Sequence, residues 1–197
     1  LACEATDAAS VKAAFSKIAA LNTQVNLYAH CVGSIELGPF GRFSDEQLER
    51  VLAVNLKSAM YGLREFVNHS KGFDGNRAAV LVSTCATGIG VANHELIAAA
   101  KGGLEGLAKS LAASQAAEGL RVNVVAPGLT NTAIAAPFLK GEVMQAASAK
   151  QYPLNGINEP QHVADALFFL LSDHASRITG TVLNVDGGFR NIRPLVR

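Results

Sequence analysis

Ile97-Ala98-Ala99-Ala100-Lys101 ends in a lysine, and its first position is a hydrocarbon. Isoleucine has no ionisable group, so position 97 cannot donate or accept a proton. Where a reaction depends on general acid–base catalysis, losing it costs about 10²–10⁴-fold. His94 lies three residues before Ile97 and could share its helix face. It reads either as a surrogate acid or as a cap on the helix start. Ser83-Thr84 ends a β-branched run. A threonine hydroxyl there can hydrogen-bond a substrate carbonyl. A strand-terminal Ser-Thr pair also commonly satisfies backbone groups. His30, near the end of another apolar run, reads as a packed or hydrogen-bonded histidine rather than a catalyst.

These residues need a scaffold, and the chain is long enough to supply one. Its 197 residues suffice for one domain with a substantial core. Nearly half are apolar and 17% are charged, which excludes a disordered chain. A net charge of +1 gives no electrostatic case for nucleic acid or an anionic membrane. The C-terminal Arg190, Arg193 and Arg197 are too few for a binding arm. Cys3, Cys31 and Cys85 form no metal-ligand cluster or CxxC pair; they suggest a reducing compartment (cytoplasm, organelle matrix or stroma) and small buried side chains. No apolar run approaches a membrane span, so a soluble protein without membrane insertion is expected.

Short β-branched runs alternate with longer helical segments, the pattern of an α/β domain with a parallel sheet. Strands are expected at Val25–Cys31, Ala78–Ser83, Arg121–Ala126 and Thr181–Val185. Ser44-Asp45-Glu46-Gln47 is a capping box opening a long helix through about Asn68. A second long helix runs from about His94 to Ala117, with Leu104, Leu107 and Leu111 on one face, and Gly119 ends it. Leu129–Pro153 reads as a loop with short helices, of a size that serves binding. Gln161–Leu171 is a helix with Pro160 in its first turn.

Taken in order, these motifs resemble the short-chain dehydrogenases/reductases, a family of NAD(P)-dependent oxidoreductases. The Lys101 helix is similar to the family's Tyr-x-x-x-Lys helix, with Ile97 at the tyrosine position. Ala126-Pro127-Gly128-Leu129-Thr130-Asn131-Thr132 resembles its Pro-Gly strand end. Ile178-Thr179-Gly180 followed by Asn184-Val185-Asp186-Gly187-Gly188 resembles its last strand. His30-Cys31-Val32-Gly33 falls where the family has Asn-Asn-Ala-Gly, matching only at Gly33.

The resemblance implies a doubly wound Rossmann-like parallel sheet with helices on both faces. It places Thr84, thirteen residues before Ile97, in the catalytic serine slot. Lys101 would hold ribose hydroxyls, and Asn55 would match the asparagine whose carbonyl holds a water. Gly33, Pro127, Gly128 and Thr132 would meet NAD or NADP. Glu4, in Ala2-Cys3-Glu4-Ala5-Thr6-Asp7, would end the family's third strand beside adenine; the same stretch also reads as a strand end capped by Thr6 or Asp7. In the family, the lysine ammonium and oxidised nicotinamide lower the tyrosine's pKa.

No Thr-Gly-x-x-x-Gly-x-Gly phosphate loop occurs; Thr87-Gly88-Ile89-Gly90 has its glycines too close together and follows the wrong strand. Two strand–helix units of the family are therefore expected to be missing before Leu1, on the order of 50–60 residues. With the family order 3-2-1-4-5-6-7, strand 3 would lack a neighbour and strand 4 would have a bare edge. Such a chain is expected to fold poorly alone, and to need further N-terminal sequence or another chain over that edge. The expectation is one N-terminally incomplete Rossmann-like domain over residues 1–197. Its reading is an oxidoreductase acting on a carbonyl or alcohol of unknown identity, with atypical or lost catalysis. The alternative is a non-catalytic structural or regulatory subunit. Copies are expected to pair through helices Ser44–Asn68 and His94–Ala117, or those helices dock into a larger complex.

Overall fold

Four strands run parallel in a single sheet in the computed structural model, which describes residues 1–194. Arg197 lies outside the described residues. The strands are β1 (Leu27–His30), β2 (Arg77–Val82), β3 (Leu120–Pro127) and β4 (Val182–Val185), adjacent in chain order. This is the 4-5-6-7 run of the expected order. Helix α1 (Ala8–Ala20) precedes β1. Helices α2 (Asp45–Leu52) and α3 (Ser58–His69) connect β1 to β2, and α4 (Glu95–Gln115) connects β2 to β3. Helices α5 (Glu142–Ala149) and α6 (Pro160–Leu171) lie before β4.

The period-2 alternation of the strands divides the core between two faces. Ala79 and Leu81 of β2, with Leu120, Val122 and Val124 of β3, pack under Phe66 of α3 and Leu104 of α4. Val80 and Val125 point the other way and pack under Leu170 of α6. Helices therefore cover both faces, as expected. On α4, Leu104 is fully buried, while Leu107 and Leu111 pack partly buried against the same core. Gly119 takes a left-handed φ of 75°, which stops the helical run ahead of β3.

Four expectations are corrected. Ala2–Asp7 forms no strand; those residues have no sheet neighbour, and Asp7 instead caps α1 by accepting from the Ala9 amide at 2.9 Å. Val25–Cys31 is shortened to Leu27–His30, because only those residues pair with β2. The expected helix over Ser44–Asn68 is interrupted by a π-helical turn at Ala53–Lys57. Its N-terminus is as read: Ser44 and Gln47 form a reciprocal capping box. Among the cysteines only Cys85 is buried, whereas Cys3 and Cys31 are exposed.

Candidate functional site

Helix α4 drives Lys101 into the space beyond the end of β2. Its side chain is buried, and its Nζ donates to the Val82 carbonyl at 2.8 Å. Burial lowers its pKa to about 8, opposed by the nearby Cys31 thiol. Two of the three ammonium donors remain for another ligand. Ile97, one turn earlier, is 6% exposed and adds no polar atom.

The π turn supplies the second wall. A π turn displaces a residue from regular helical register, and here it carries Asn55, which is fully buried. Asn55 Oδ1 accepts from the Ser34 amide at 3.0 Å, and its Nδ2 donates to Ser34 Oγ at 2.9 Å and to the Val51 carbonyl at 3.1 Å. The side chain thus clamps the turn that follows β1. Gly33 lies in that turn. A Cβ there would come within 3.2 Å of Asn55 Oδ1 and 3.4 Å of Lys101 Nζ. Glycine leaves bare backbone beside the lysine, where a cofactor could approach.

The residues His30 and Ser58 hold this wall from beneath. Ser58 Oγ donates its only proton to the Val54 carbonyl at 2.6 Å, so it accepts from His30 Nε2 at 3.1 Å. His30 Nδ1 therefore accepts the Tyr28 hydroxyl proton at 3.0 Å. Burial holds the His30 pKa down at about 4, with the Lys101 charge adding to it. Burial also pushes the Tyr28 phenol up to about 12. His30 is thus a neutral, doubly bonded structural histidine.

Thr84 follows β2 at the strand end gripped by Lys101. Its Oγ1 accepts from the Ala86 amide at 3.3 Å. His94 occupies the N-cap position of α4 but makes no side-chain cap bond. Its Nδ1 meets the Ala92 carbonyl at 2.9 Å instead.

The remaining sequence candidates make no hydrogen bond to Lys101, Asn55 or Thr84. Pro127 ends β3 opposite Val185. Gly128 donates its amide to the Val185 carbonyl at 2.9 Å, and a Cβ on it would reach within 2.7 Å of the Tyr152 ring. Thr132 is exposed and bonds only within its own turn. Glu4 is exposed and accepts from Thr6, which lowers its pKa. None of the hydrogen bonds of Glu4 or Thr132 reaches Lys101, Asn55 or Thr84.

A cleft of about 470 Å³ opens between Tyr152, Asn155, Asn158, His162 and the β4 end at Asp186–Gly188. Of the segment 129–153 it draws only on Tyr152, and Lys101 does not line it. Among the described residues no group of His, Cys, Asp and Glu is arranged to hold a metal. No helix among them is long and apolar enough to cross a membrane.

Glu105 was not marked by its sequence context. It accepts from Ser83 Oγ at 2.6 Å and Thr87 Oγ1 at 2.5 Å, on either side of Thr84. One acid in a helix carries no signal until the fold brings those hydroxyls to it.

The chain is similar to known proteins. Residues 1–190 match the family model described as enoyl-(acyl carrier protein) reductase. The chain is 34% identical over 172 residues to 3beta-hydroxysteroid dehydrogenase 1 of Eggerthella lenta, covering 83% of this chain. It spans 63% of that relative's length. The ligand-free aldohexose dehydrogenase of Thermoplasma acidophilum superposes with a TM-score of 0.92 at 27% identity, over 100% of this chain and 80% of that one. The gluconate 5-dehydrogenase of Burkholderia cenocepacia J2315, solved with NADP and tartrate, shares the fold with a TM-score of 0.90 at 21% identity, over 96% and 74% of the two chains. A lysine helix gripping a strand end, an asparagine clamping the preceding turn and a match reaching residue 190 have one common account: the chain belongs to the short-chain dehydrogenase/reductase family of oxidoreductases.

Proposed function

We propose that this chain is part of an NAD(P)-dependent oxidoreductase for a carbonyl or alcohol substrate, in which no side chain at position 97 transfers the proton. The convergence of Lys101, Asn55 and Gly33 carries this reading. The bare backbone at Gly33 and the two free donors of Lys101 fit the ribose end of a dinucleotide. Bound NAD(P) supplies hydride exchange at its nicotinamide. Lys101 would hold the ribose hydroxyls, and the Thr84 hydroxyl would donate a hydrogen bond to the substrate oxygen. Gly128 and Thr132 flank the nicotinamide side by family resemblance. No phosphate loop is present in this sequence, so its residues fit only part of the cofactor.

Titration of the native protein with NADH and NADPH tests the reading. Saturable binding of either is expected, weakened about tenfold or more in Lys101→Met. Affinity should fall as pH rises through about 8, where Lys101 loses its charge. Ile97→Tyr should raise reduction of a simple ketone by up to about 10²–10⁴-fold, because it restores an acid where the family uses one. No saturable binding of either dinucleotide would sink the reading. That outcome, with an intact assembly, would favour the second one: a subunit that keeps the fold as a scaffold. The buried hydrocarbon at Ile97 is the observation behind it. Pairing of copies through α2–α3 and α4 belongs to either reading, and sedimentation at several concentrations tests it.

A further inference from the structure

Both hydroxyl side chains flanking the Thr84 turn meet one carboxylate. Ser83 Oγ lies 2.6 Å from Glu105 Oε1, and Thr87 Oγ1 lies 2.5 Å from the same oxygen. Thr87 Oγ1 is also 2.8 Å from the Thr84 carbonyl oxygen, so its one hydroxyl proton is shared between that carbonyl and the carboxylate. Glu105 follows Lys101 by four residues in α4, so the two side chains leave the same helix face one turn apart. Lys101 takes the Val82 carbonyl while Glu105 takes Ser83 and Thr87. The helix therefore grips the strand end on both sides of Thr84. Among the described residues no lysine or arginine forms a salt bridge with Glu105. Its bonds go to the turn instead.

We propose that Glu105 is a positioning residue, which fixes the Ser83–Thr87 turn so that the Thr84 hydroxyl faces a ligand held beside Lys101. This rests on the reading that Thr84 donates to a substrate oxygen. The physical need is clear. The Thr84 side chain accepts a long 3.3 Å bond from Ala86, and a hydrogen-bond donor acts on a carbonyl only within a narrow range of distance and angle. A single carboxylate oxygen accepting two hydroxyls supplies the missing rigidity, because charge-assisted bonds are stronger than neutral ones.

Three variants of the native protein test this: Glu105→Ala, Glu105→Gln and the double variant Ser83→Ala with Thr87→Val. Amide hydrogen exchange is read at residues 84–88, and NADPH affinity is measured on the same samples. Reduction of ethyl 3-oxobutanoate gives kcat and KM. Glu105→Ala should speed exchange at Ala86, Thr87 and Gly88 about tenfold or more, since both hydroxyls lose the carboxylate that ties the turn to α4. NADPH affinity should stay within about twofold, and kcat should fall more than KM rises. Glu105→Gln keeps an acceptor oxygen and should restore protection and most of kcat. The double variant removes the carboxylate bonds from the other side, and the Thr87 bond to the Thr84 carbonyl with them; if Glu105→Ala does not fold, protection kept in Glu105→Gln and lost in the double variant is the expected result. Unchanged protection in Glu105→Ala, or in the double variant, overturns the proposal; so does a Glu105→Gln loss equal to that of Glu105→Ala. If the unaltered protein binds no NADPH, the functional reading fails. The exchange comparison then still decides whether Glu105 holds the turn.

Discussion

Strands β1 and β2 are hydrogen-bonded neighbours with similar apolar content, yet their burial is opposite. β2 buries every residue from Arg77 to Leu81, whereas β1 leaves Leu27 39% exposed and Ala29 exposed. The difference comes from their neighbours. β2 has a strand on each side and helices on both faces; β1 has a strand partner on one side only among the described residues. Where β1 does meet a helix, it buries even polar groups: Tyr28 and His30 turn toward α3 and form a bonded chain to Ser58. Context rather than spelling sets burial here, and the well-supported side holds Lys101 and Glu105.

The largest break in this comparison is expected in the core. Phe66→Ala, beneath α3, should cost about 3–5 kcal/mol by cavity formation and lost transfer energy. Leu27→Ala, on the bare face of β1, should cost less than about 0.5 kcal/mol. Urea denaturation of the two variants checks the contrast, and equal losses would show that the β1 face is covered in the native protein.

The next effect is a pH dependence at the junction of the two regions. The folded pKa of His30 is lowered to about 4 from its ordinary 6.5, so the fold holds it neutral. Its contribution is fully present above pH 6.5 and is lost as pH falls toward 4. The unfolded chain binds the proton first, and the total loss is about 3 kcal/mol. The urea midpoint should fall across that window, and His30→Asn should flatten the fall. An identical slope in the variant would move the cause elsewhere.

Two glycines sharpen the contrast at smaller scale. A Cβ at Gly62 would overlap the Tyr28 hydroxyl, while one at Gly106 meets open space. Gly62→Ala should destabilise by about 1–3 kcal/mol by overpacking and loosen the Tyr28–His30 bond. Gly106→Ala, on the exposed face of α4, should stabilise by about 0.5–1 kcal/mol through helix propensity. Thermal midpoints of both variants read the opposite signs, and a shared sign would refute the packing argument.

Much of the architecture was legible beforehand because it depends on local rules. The capping box at Ser44, proline in the first turn of α6 and glycine after α4 are short-range features, and all three are observed. The Pro-Gly and Asp-Gly-Gly strand ends lie where their residues suggested. The π turn at Ala53–Lys57 left no periodicity signal, since it adds only one residue to a helical repeat. Ala2–Asp7 reads as a strand end by composition but finds no neighbouring strand to pair with. The candidate site was legible as Lys101, Thr84, Asn55 and Gly33, but not as a set of contacts. His94 reads as a cap by its position, yet its ring turns back to Ala92.

By itself, then, the sequence determined the alternation of strands and helices, the lysine on α4 and the hydrocarbon at position 97. Those follow from residue type and from periods of two and near four, which need no distant partner. The tertiary structure alone decided that Asn55 clamps Ser34, that His30 is neutral between Tyr28 and Ser58, and that Glu105 gathers Ser83 and Thr87. Several of these contacts cross from a strand end to a helix about twenty residues away, and they form only once the parallel crossover has packed that helix back onto the sheet.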